Sequence, residues 1–164
     1  MELKTKFLKI AFFAIFFLML TAYSNAQIDT NLQKNQISVF SLQGLLKDKF
    51  LENVKIDTDG DLRIELHGVK IFVTTDSNRS ILKFSTIWKK SENILDSNLY
   101  EILNTWNRDK VFTTAFSNGE FILLEYFLCT DGGINSENFN GTLEWLFPIS
   151  YSFNDYLTEK KAID

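Results

Sequence analysis

The sequence predicts an α+β protein with an antiparallel sheet of about five strands and flanking helices, in the order α-β-β-β(-β)-α-β-β-α. Two dipeptides, Asp59-Gly60 and Asn118-Gly119, each lie between runs of alternating apolar residues. This pattern is typical of β-hairpins, because the turn needs positive φ at its centre. Three other segments carry apolar residues at helical spacing. Since tight turns leave no room for parallel crossovers, we expect an antiparallel sheet.

The first 26 residues are predicted to be a cleaved signal peptide. Residues 1–9 contain three lysines, and residues 10–20 form an unbroken apolar run of eleven. Ser24-Asn25-Ala26 then offers small residues to a signal peptidase, so the mature chain would begin at Gln27. A membrane anchor is the alternative, but a span needs about 20 apolar residues. We therefore expect a periplasmic or secreted protein without a stable membrane anchor.

A polar leader over residues 27–36 and a single domain over residues 37–164 are predicted to follow. Helical spacing of apolar residues predicts the first helix over residues 37–50, although Gly44 inside it weakens the pattern. Alternating residues on both sides of Asp59-Gly60 predict the first hairpin, and His67-Gly68 marks a second tight turn. A further strand is predicted over residues 82–88.

The second helix is predicted from an i, i+3, i+4, i+7 stripe at Leu99, Ile102, Leu103 and Trp106. The Asn118-Gly119 hairpin follows it, and a final helix comes after Gly132-Gly133. Asn135 is placed to cap that helix, and Pro148 is expected to kink it or to split it in two.

From about Leu99 onward the chain resembles the YbjN domain family, which is labelled a bacterial sensory transduction regulator. The motifs that carry the resemblance, within residues 37–157, are Leu103-Asn104-Thr105-Trp106-Asn107, Asn118-Gly119, the apolar strand at residues 121–128, Gly132-Gly133, Asp59-Gly60-Asp61 and Gly68. The family's fold is similar to that of type III secretion chaperones, which often dimerise and hold a partner polypeptide. The resemblance implies a non-enzymatic regulatory or protein-binding role.

Three candidate site residues lie on the second helix. Asn107 is placed where the helix should end, so it serves either as a helix cap or as part of a ligand site with Asn104. Trp106 continues the apolar stripe and is expected in the core, unless partial burial leaves it as an interaction anchor. The final helix is apolar on more than one side, which predicts a second contact there that includes Trp145 and Tyr151.

Composition and residue counts exclude several classes of function. Removal of residues 1–26 leaves 14 basic and 20 acidic side chains, a net charge of -6, which disfavours nucleic acid as a partner. With one histidine and one cysteine, the sequence supports no catalytic residues, metal ligands or cofactor. Asp57, Asp59 and Asp61 have the wrong spacing for a calcium loop. Cys129 is expected to be a small buried hydrophobic residue.

Two functional hypotheses from different classes remain. The first is an exported protein-binding module, expected to be a homodimer, that contacts a partner or client protein through Trp106 and the last helix. The second is a small-molecule sensor or carrier of the cell envelope that uses a cleft between sheet and helices near Asn104 and Asn107. A pocket lined by the two asparagines would favour the sensor, and a flat apolar patch would favour the binding module.

Overall fold

A computed structural model describes residues 31–164 of the chain, and the predicted signal peptide lies outside this part. Within residues 31–164 the eight strands are β1 (Asn31–Leu32), β2 (Val54–Ile56), β3 (Leu62–Leu66), β4 (Val69–Thr75), β5 (Ile81–Lys89), β6 (Thr114–Asn118), β7 (Phe121–Cys129) and β8 (Ile134–Asn135). The four α-helices in the described part of the chain are α1 (Val39–Gln43), α2 (Asp48–Leu51), α3 (Asp96–Asp109) and α4 (Ser136–Glu159), and a 3-10 turn covers Lys34–Gln36.

Six strands form one antiparallel sheet in the order β2-β3-β4-β5-β7-β6. The predicted fold class is therefore confirmed, with four strands before α3 and two after it. The first hairpin turns at Gly60 with a φ of 88°, and His67 and Gly68 both take positive φ in the next. Both turns match the positions predicted from the sequence, because few residues other than glycine adopt this conformation at low cost.

The first predicted helix is wrong in its extent. The chain forms two short helices, α1 and α2, with Gly44 at the end of the first. The buried side chain of Asn140 accepts a hydrogen bond from the Lys47 backbone N–H at 2.8 Å. Its amide donates to the Leu45 carbonyl at 2.7 Å. The Asn140 side chain thus satisfies two backbone groups, the Leu45 carbonyl and the Lys47 N–H, at the break between α1 and α2. Asn140 lies far from residues 37–50 in the sequence, so no local pattern there could indicate this contact.

Residues 31–36 of the predicted polar leader contact the rest of the domain. The short strand β1 pairs with β8, joining Asn31 to Asn135 and Leu32 to Ile134. Lys34 forms an ion pair of 2.7 Å with Asp131, on the loop that precedes β8. This part of the predicted leader therefore belongs to the folded domain.

The apolar core lies between one face of the sheet and the helices, in two clusters. The larger cluster joins α1, α2 and the first half of α4 to β3, β4 and β5; it includes Leu42, Phe50, Ile71, Phe84 and Phe147. The smaller cluster joins α3 and the second half of α4 to β6 and β7; it includes Leu99, Trp106, Leu124, Phe153 and Leu157. The long helix α4 contributes to both clusters and connects them.

The final helix, α4, is one continuous helix of 24 residues. The Asn135 side chain accepts a hydrogen bond from the Asn138 backbone N–H at 2.7 Å, which confirms the predicted cap. Pro148 lies inside the helix without splitting it. Within residues 31–164, no helix combines the length and apolar character needed to cross a membrane.

Candidate protein-binding surfaces

Trp106 lies in the core and not at the surface. Its side chain is 3% exposed and packs against the rings of Phe153 and Tyr156, with centroid distances of 4.7 and 5.4 Å. The indole N–H is buried and has no hydrogen-bond acceptor among the described residues. Trp106 therefore contributes mainly to packing, although its side chain also borders the groove described below.

The two asparagines of α3 do not form a cleft. Helix α3 continues past Asn107 to Asp109, so Asn107 is not the predicted cap. The Asn107 side chain instead makes two hydrogen bonds to the backbone of Ala115. Asn104 is exposed one turn earlier on the same helix. Neither asparagine lines the two cavities along α3 and α4, so the condition that would favour a small-molecule sensor is not met there.

A groove runs between the end of α3, the loop after it and one side of α4. We call it the helical groove. Its main cavity has a volume of about 510 Å³ and is lined by Trp106, Asp109, Lys110, Val111, Phe112, Glu144, Trp145, Pro148, Ile149 and Ser152. Trp145 is 67% exposed and Val111 is 87% exposed, which is unusual for large apolar side chains. The helical groove therefore combines a concave shape with exposed apolar surface.

Phe112 shapes the floor of the helical groove. Its φ of 84° is an outlier for a bulky residue, and such strain persists only when surrounding contacts hold it. The Phe112 ring stacks on Tyr126 with centroids 4.2 Å apart and approaches Trp145 at 6.0 Å. These contacts fix the loop between α3 and β6, so the aromatic surface is preorganised.

The charge of the helical groove changes along its length. Beyond Trp106 it continues into a second cavity of about 290 Å³, which is lined by three carboxylates, Asp109, Asp155 and Glu159, and one ammonium group, Lys110. A hydrogen bond from Arg108 lowers the pKa of Asp109, which therefore stays ionised at neutral pH. The apolar cavity is thus followed by an acidic one.

Tyr151 lies outside the helical groove, and its contacts are within the fold. Its hydroxyl donates a hydrogen bond of 2.6 Å to the Leu66 carbonyl, and its ring neighbours His67 and Phe147. Burial raises the pKa of the Tyr151 hydroxyl. Because the polar end of this tyrosine is already paired, we leave Tyr151 out of the candidate surface.

A second apolar surface lies on the other side of the sheet. Side chains on β5, β6 and β7 that alternate with the core residues point away from the helices. We call this surface the open sheet face, defined by its apolar members Ile81, Ile87, Phe116, Phe121, Leu123 and Phe127. All of these except Leu123 are among the exposed large hydrophobic residues, with exposed fractions between 37% and 54%.

Among residues 31–164, the acidic hairpin turn and the single cysteine are the groups that the sequence raised for metal or thiol chemistry. No group of three or more metal-ligating side chains is found within this part of the chain. The Asp57 carboxylate accepts hydrogen bonds from the backbone N–H groups of Asp59 and Asp61, as expected for a hairpin turn. Cys129 is exposed at the end of β7, so the prediction of a buried cysteine is wrong.

Sequence reasoning missed the loop residues Val111 and Phe112 and the whole open sheet face. A signal for the open sheet face was present in β7, where Phe121, Leu123 and Phe127 alternate with core residues that are also apolar. A strand with one solvated face normally alternates with polar residues. The run in β7, apolar except for Glu125, was therefore a sequence signal that both faces of the strand carry apolar side chains.

The comparisons with known proteins agree with this architecture. The sequence profile of the YbjN family, described as "Putative bacterial sensory transduction regulator", matches residues 39–153. No curated protein matches the chain. The fold is similar to the solved structure of "YbjN, a putative transcription regulator from E. coli", with a TM-score of 0.57 and 16% sequence identity. That similarity covers 80% of this chain and 95% of the E. coli chain. Because the profile spans most of the domain, including α3, the sheet and most of α4, the chain belongs to the YbjN family.

Proposed function

We propose that this protein is an exported, non-enzymatic binding module that holds a segment of a partner polypeptide in the helical groove, as a chaperone or adaptor would. The observation that carries the proposal is the exposed ring of Trp145, which lies beside Phe112 across an apolar cavity. Tryptophan side chains dominate the binding energy of many protein interfaces, especially when they border a pocket that excludes water. The proposed role is consistent with membership of a family described as regulatory.

The shape and charge of the helical groove define the segment that it would accept. An apolar or aromatic side chain fits the cavity between Trp145 and Phe112. A lysine or arginine a few residues away would reach the acidic cavity at Asp155, whose neighbour Glu159 already pairs with Lys160. Since the chain has a net charge of -4, a partner with basic residues would also be attracted at long range.

The export component of the proposal rests on the amino-terminal sequence. The amino-terminal sequence has the features of a secretory signal in their usual order: three lysines, an apolar run and then Ser24-Asn25-Ala26. Cleavage there would make Gln27 the first residue of the mature chain. An exported protein would meet its partner in the cell envelope or the medium. Export therefore restricts the partner to proteins of those compartments.

A small-molecule sensor is the weaker alternative. The volume of the main cavity is within the range of ligand pockets, roughly 300–1,000 Å³. However, the cavity contains few convergent polar groups, and the Asn107 amide is occupied by Ala115. The E. coli protein of similar fold is described as "a putative transcription regulator". For this acidic chain we favour a polypeptide partner over DNA, because phosphates repel carboxylates.

The proposal is tested with peptides selected for binding. The full chain, with a carboxyl-terminal tag, is expressed in a bacterial host, and its mature amino terminus is identified by mass spectrometry. A displayed library of short peptides is then selected on the purified protein. We expect an amino terminus at Gln27, and selected peptides that combine an aromatic residue with a lysine or arginine. Loss of the Trp145 ring in Trp145→Ala should weaken their binding by about tenfold or more, measured by calorimetry.

Two variants make this test specific. Phe40→Ala removes another exposed aromatic ring, on α1 and outside the helical groove, and it should leave binding unchanged. Asp155→Asn removes one charge from the acidic cavity and should weaken only the peptides that contain basic residues. Selected peptides that bind Trp145→Ala and the parent protein equally would refute the groove as the site. An uncleaved amino terminus in the exporting host would refute the export component alone.

A further inference from the structure

The strand β6 forms one edge of the six-stranded sheet. Within the described residues, β7 pairs with one side of β6, and no strand pairs with the other side. Such an edge is a template for strand addition, because its outward backbone N–H and C=O groups can pair with a strand of another chain. An added strand would also cover part of the Phe116 ring, which is 37% exposed on β6. Two copies of the chain could therefore join at this edge.

The side chain of Asn107 occupies part of this edge. Its Nδ2 donates to the Ala115 carbonyl at 2.8 Å, and the Ala115 N–H donates to Oδ1 at 2.7 Å. In an antiparallel ladder the backbone groups of alternate residues point to the same side, so Ala115 and Ser117 are the residues of β6 that face outward. Asn107 thus fills one of the two outward positions with a donor and an acceptor, as a residue of a neighbouring strand would.

Helix α3 holds Asn107 in this position. The preceding residue, Trp106, is 3% exposed and packs on the ring of Phe153, so the end of α3 is anchored in the core. A strand that entered at β6 would have to displace the Asn107 amide. It would break both hydrogen bonds to Ala115 before it formed its own.

The opposite edge of the sheet is protected in a different way. Strand β2 has only three residues, Val54–Ile56, and the middle one is Lys55. Short edge strands and edge lysines are two of the devices by which proteins avoid edge-to-edge pairing. Strand β6 has five residues and no charged side chain. This edge therefore needs another device, and the Asn107 amide is in the place to provide it.

We propose that Asn107 is an edge guard, a side chain that closes β6 against pairing with the β6 strand of a second copy of the chain. The pair with Ala115 has two consequences. It joins α3 to the sheet, and it keeps a further strand out. Only the second consequence makes self-association depend on Asn107. The proposal does not rest on the helical groove, because its test contains no peptide.

Sedimentation equilibrium of the purified full chain, over a range of concentrations, tests the guard. Asn107→Ala uncovers the outward groups of Ala115, and we expect self-association to strengthen by about tenfold or more relative to the parent protein. Asn104→Ala is the same substitution at an exposed position one turn earlier, and it should leave self-association unchanged. Equal self-association of Asn107→Ala and the parent protein would overturn the proposal.

Two further variants separate an open edge from a loss of stability. Asn107→Asp loses one hydrogen bond, but its carboxylate still covers the Ala115 N–H and places a charge at the edge, so it should associate no more than the parent protein. Added to Asn107→Ala, Ser117→Pro removes an outward N–H without removing a hydrogen bond to β7, and it should return self-association to the parent level. Association of Asn107→Asp as strong as that of Asn107→Ala, or its persistence in the double variant, would refute the guard.

A milder substitution covers the case in which Asn107→Ala fails to fold. Circular dichroism shows whether each variant is folded at the temperature of the measurement. Asn107→Ser keeps a hydroxyl, but this side chain is too short to pair with both backbone groups of Ala115. It should also associate more strongly than the parent protein, and the absence of any increase would overturn the proposal in the same way.

Discussion

The side-chain amide of Asn107 and the backbone of Ala115 exchange two hydrogen bonds. The Asn107 Nδ2 donates to the Ala115 carbonyl at 2.8 Å, and the Ala115 N–H donates to Oδ1 at 2.7 Å. Ala115 belongs to the edge strand β6, so the pair joins the end of α3 to the edge of the sheet. The loop between them carries Val111 and Phe112, and the pair therefore fixes both ends of one wall of the helical groove.

Asn107→Asp should destabilise the protein at neutral pH. The substitution keeps an acceptor for the Ala115 N–H but replaces the donor with a charged oxygen that faces the Ala115 carbonyl. We expect the free energy of unfolding to fall by about 1–2 kcal/mol, measured by urea denaturation. The carbonyl should raise the pKa of the introduced carboxyl in the folded state. The deficit should therefore shrink as pH falls through that pKa, because the protonated carboxyl can donate again.

Asn104→Asp is the matched control for this prediction. It introduces the same charge one turn earlier on α3, at an exposed position. We expect a change in unfolding free energy of no more than about 0.5 kcal/mol. Equal effects of the two substitutions would show that charge near the end of the helix, and not the pair with Ala115, determines stability.

The contact between Asn107 and Ala115 could not be predicted from the sequence, although the helix that carries Asn107 could. The stripe through Leu99 and Trp106 correctly predicted the helix, because 3.6-residue periodicity is a local property of the sequence. An asparagine near a helix end is compatible with a cap, and only the position of β6 gives it a different partner. The turn at Gly60, which needs positive φ, was predictable because the choice of glycine is also a local property of the sequence. Contacts between segments that are distant in the sequence could not be predicted in this way.

Gly133→Ala should lower the free energy of unfolding more than the same substitution at an exposed glycine. Gly133 has a φ of 85°, and an added Cβ would lie 2.5 Å from the backbone oxygen of Leu32. Since that neighbour is backbone, the clash can be relieved only by separating β1 from β8. We expect a loss of roughly 2–3 kcal/mol from strain and lost pairing. Faster hydrogen exchange at Asn31 and Leu32 would locate the effect.

Gly132→Ala provides the control at the preceding residue. An added Cβ there meets no atom within 4 Å. This variant should keep the parent midpoint of thermal unfolding. If both substitutions lower the midpoint equally, flexibility of the loop, rather than close approach to Leu32, is the reason for Gly133.

The Asp76 carboxylate should make a pH-dependent contribution to stability. It accepts hydrogen bonds from the backbone N–H groups of Ile81, Ser80 and Asn78, at 2.8, 2.7 and 3.2 Å. These bonds lower the pKa of Asp76, that to Ile81 having the largest effect. A lowered folded-state pKa gives stability that is present above the ordinary pKa of 3.8 and is lost as pH falls through the folded value.

The measurement compares Asp76→Asn with the parent protein by thermal unfolding between about pH 7 and about pH 3. We expect a lower midpoint for the variant at neutral pH and convergence of the two curves in acid. Ser77→Ala changes an exposed neighbour in the same loop without removing a charge, and its difference from the parent protein should not depend on pH. A constant difference across the whole range would mean that ionisation of Asp76 has no part in stabilising the loop.

The two candidate surfaces differ in how far the sequence predicted them. The sequence indicated Trp145 as a contact residue, because α4 carries apolar side chains on more than one side and packing against the sheet buries only one of them. Its neighbour Phe112 could not be assigned, since its position depends on a positive φ and on stacking with Tyr126 from another strand. Burial of Glu125 on an outward-facing surface likewise depends on Lys83 and Ser85 across the strand pair.

The last prediction concerns the indole N–H of two tryptophans. Trp106 is almost fully buried, and its N–H has no acceptor among the described residues. Trp88 is half-buried, and its N–H donates to Asn154 at 3.0 Å. Phenylalanine removes the N–H in each case. Loss of an unpaired buried donor relieves a desolvation penalty, whereas loss of a paired donor leaves Asn154 without its partner.

Trp106→Phe should therefore lower the free energy of unfolding less than Trp88→Phe, even though Trp106 is more deeply buried. We expect about 1 kcal/mol or less for Trp106→Phe and about 1–3 kcal/mol for Trp88→Phe, measured by urea denaturation. Trp106→Ala, at about 3–5 kcal/mol, reports the packing contribution of the same ring. The opposite order would mean that the Trp106 N–H has an acceptor in solution. Because Trp106 lines both cavities of the helical groove, that acceptor would then be sought among molecules bound there.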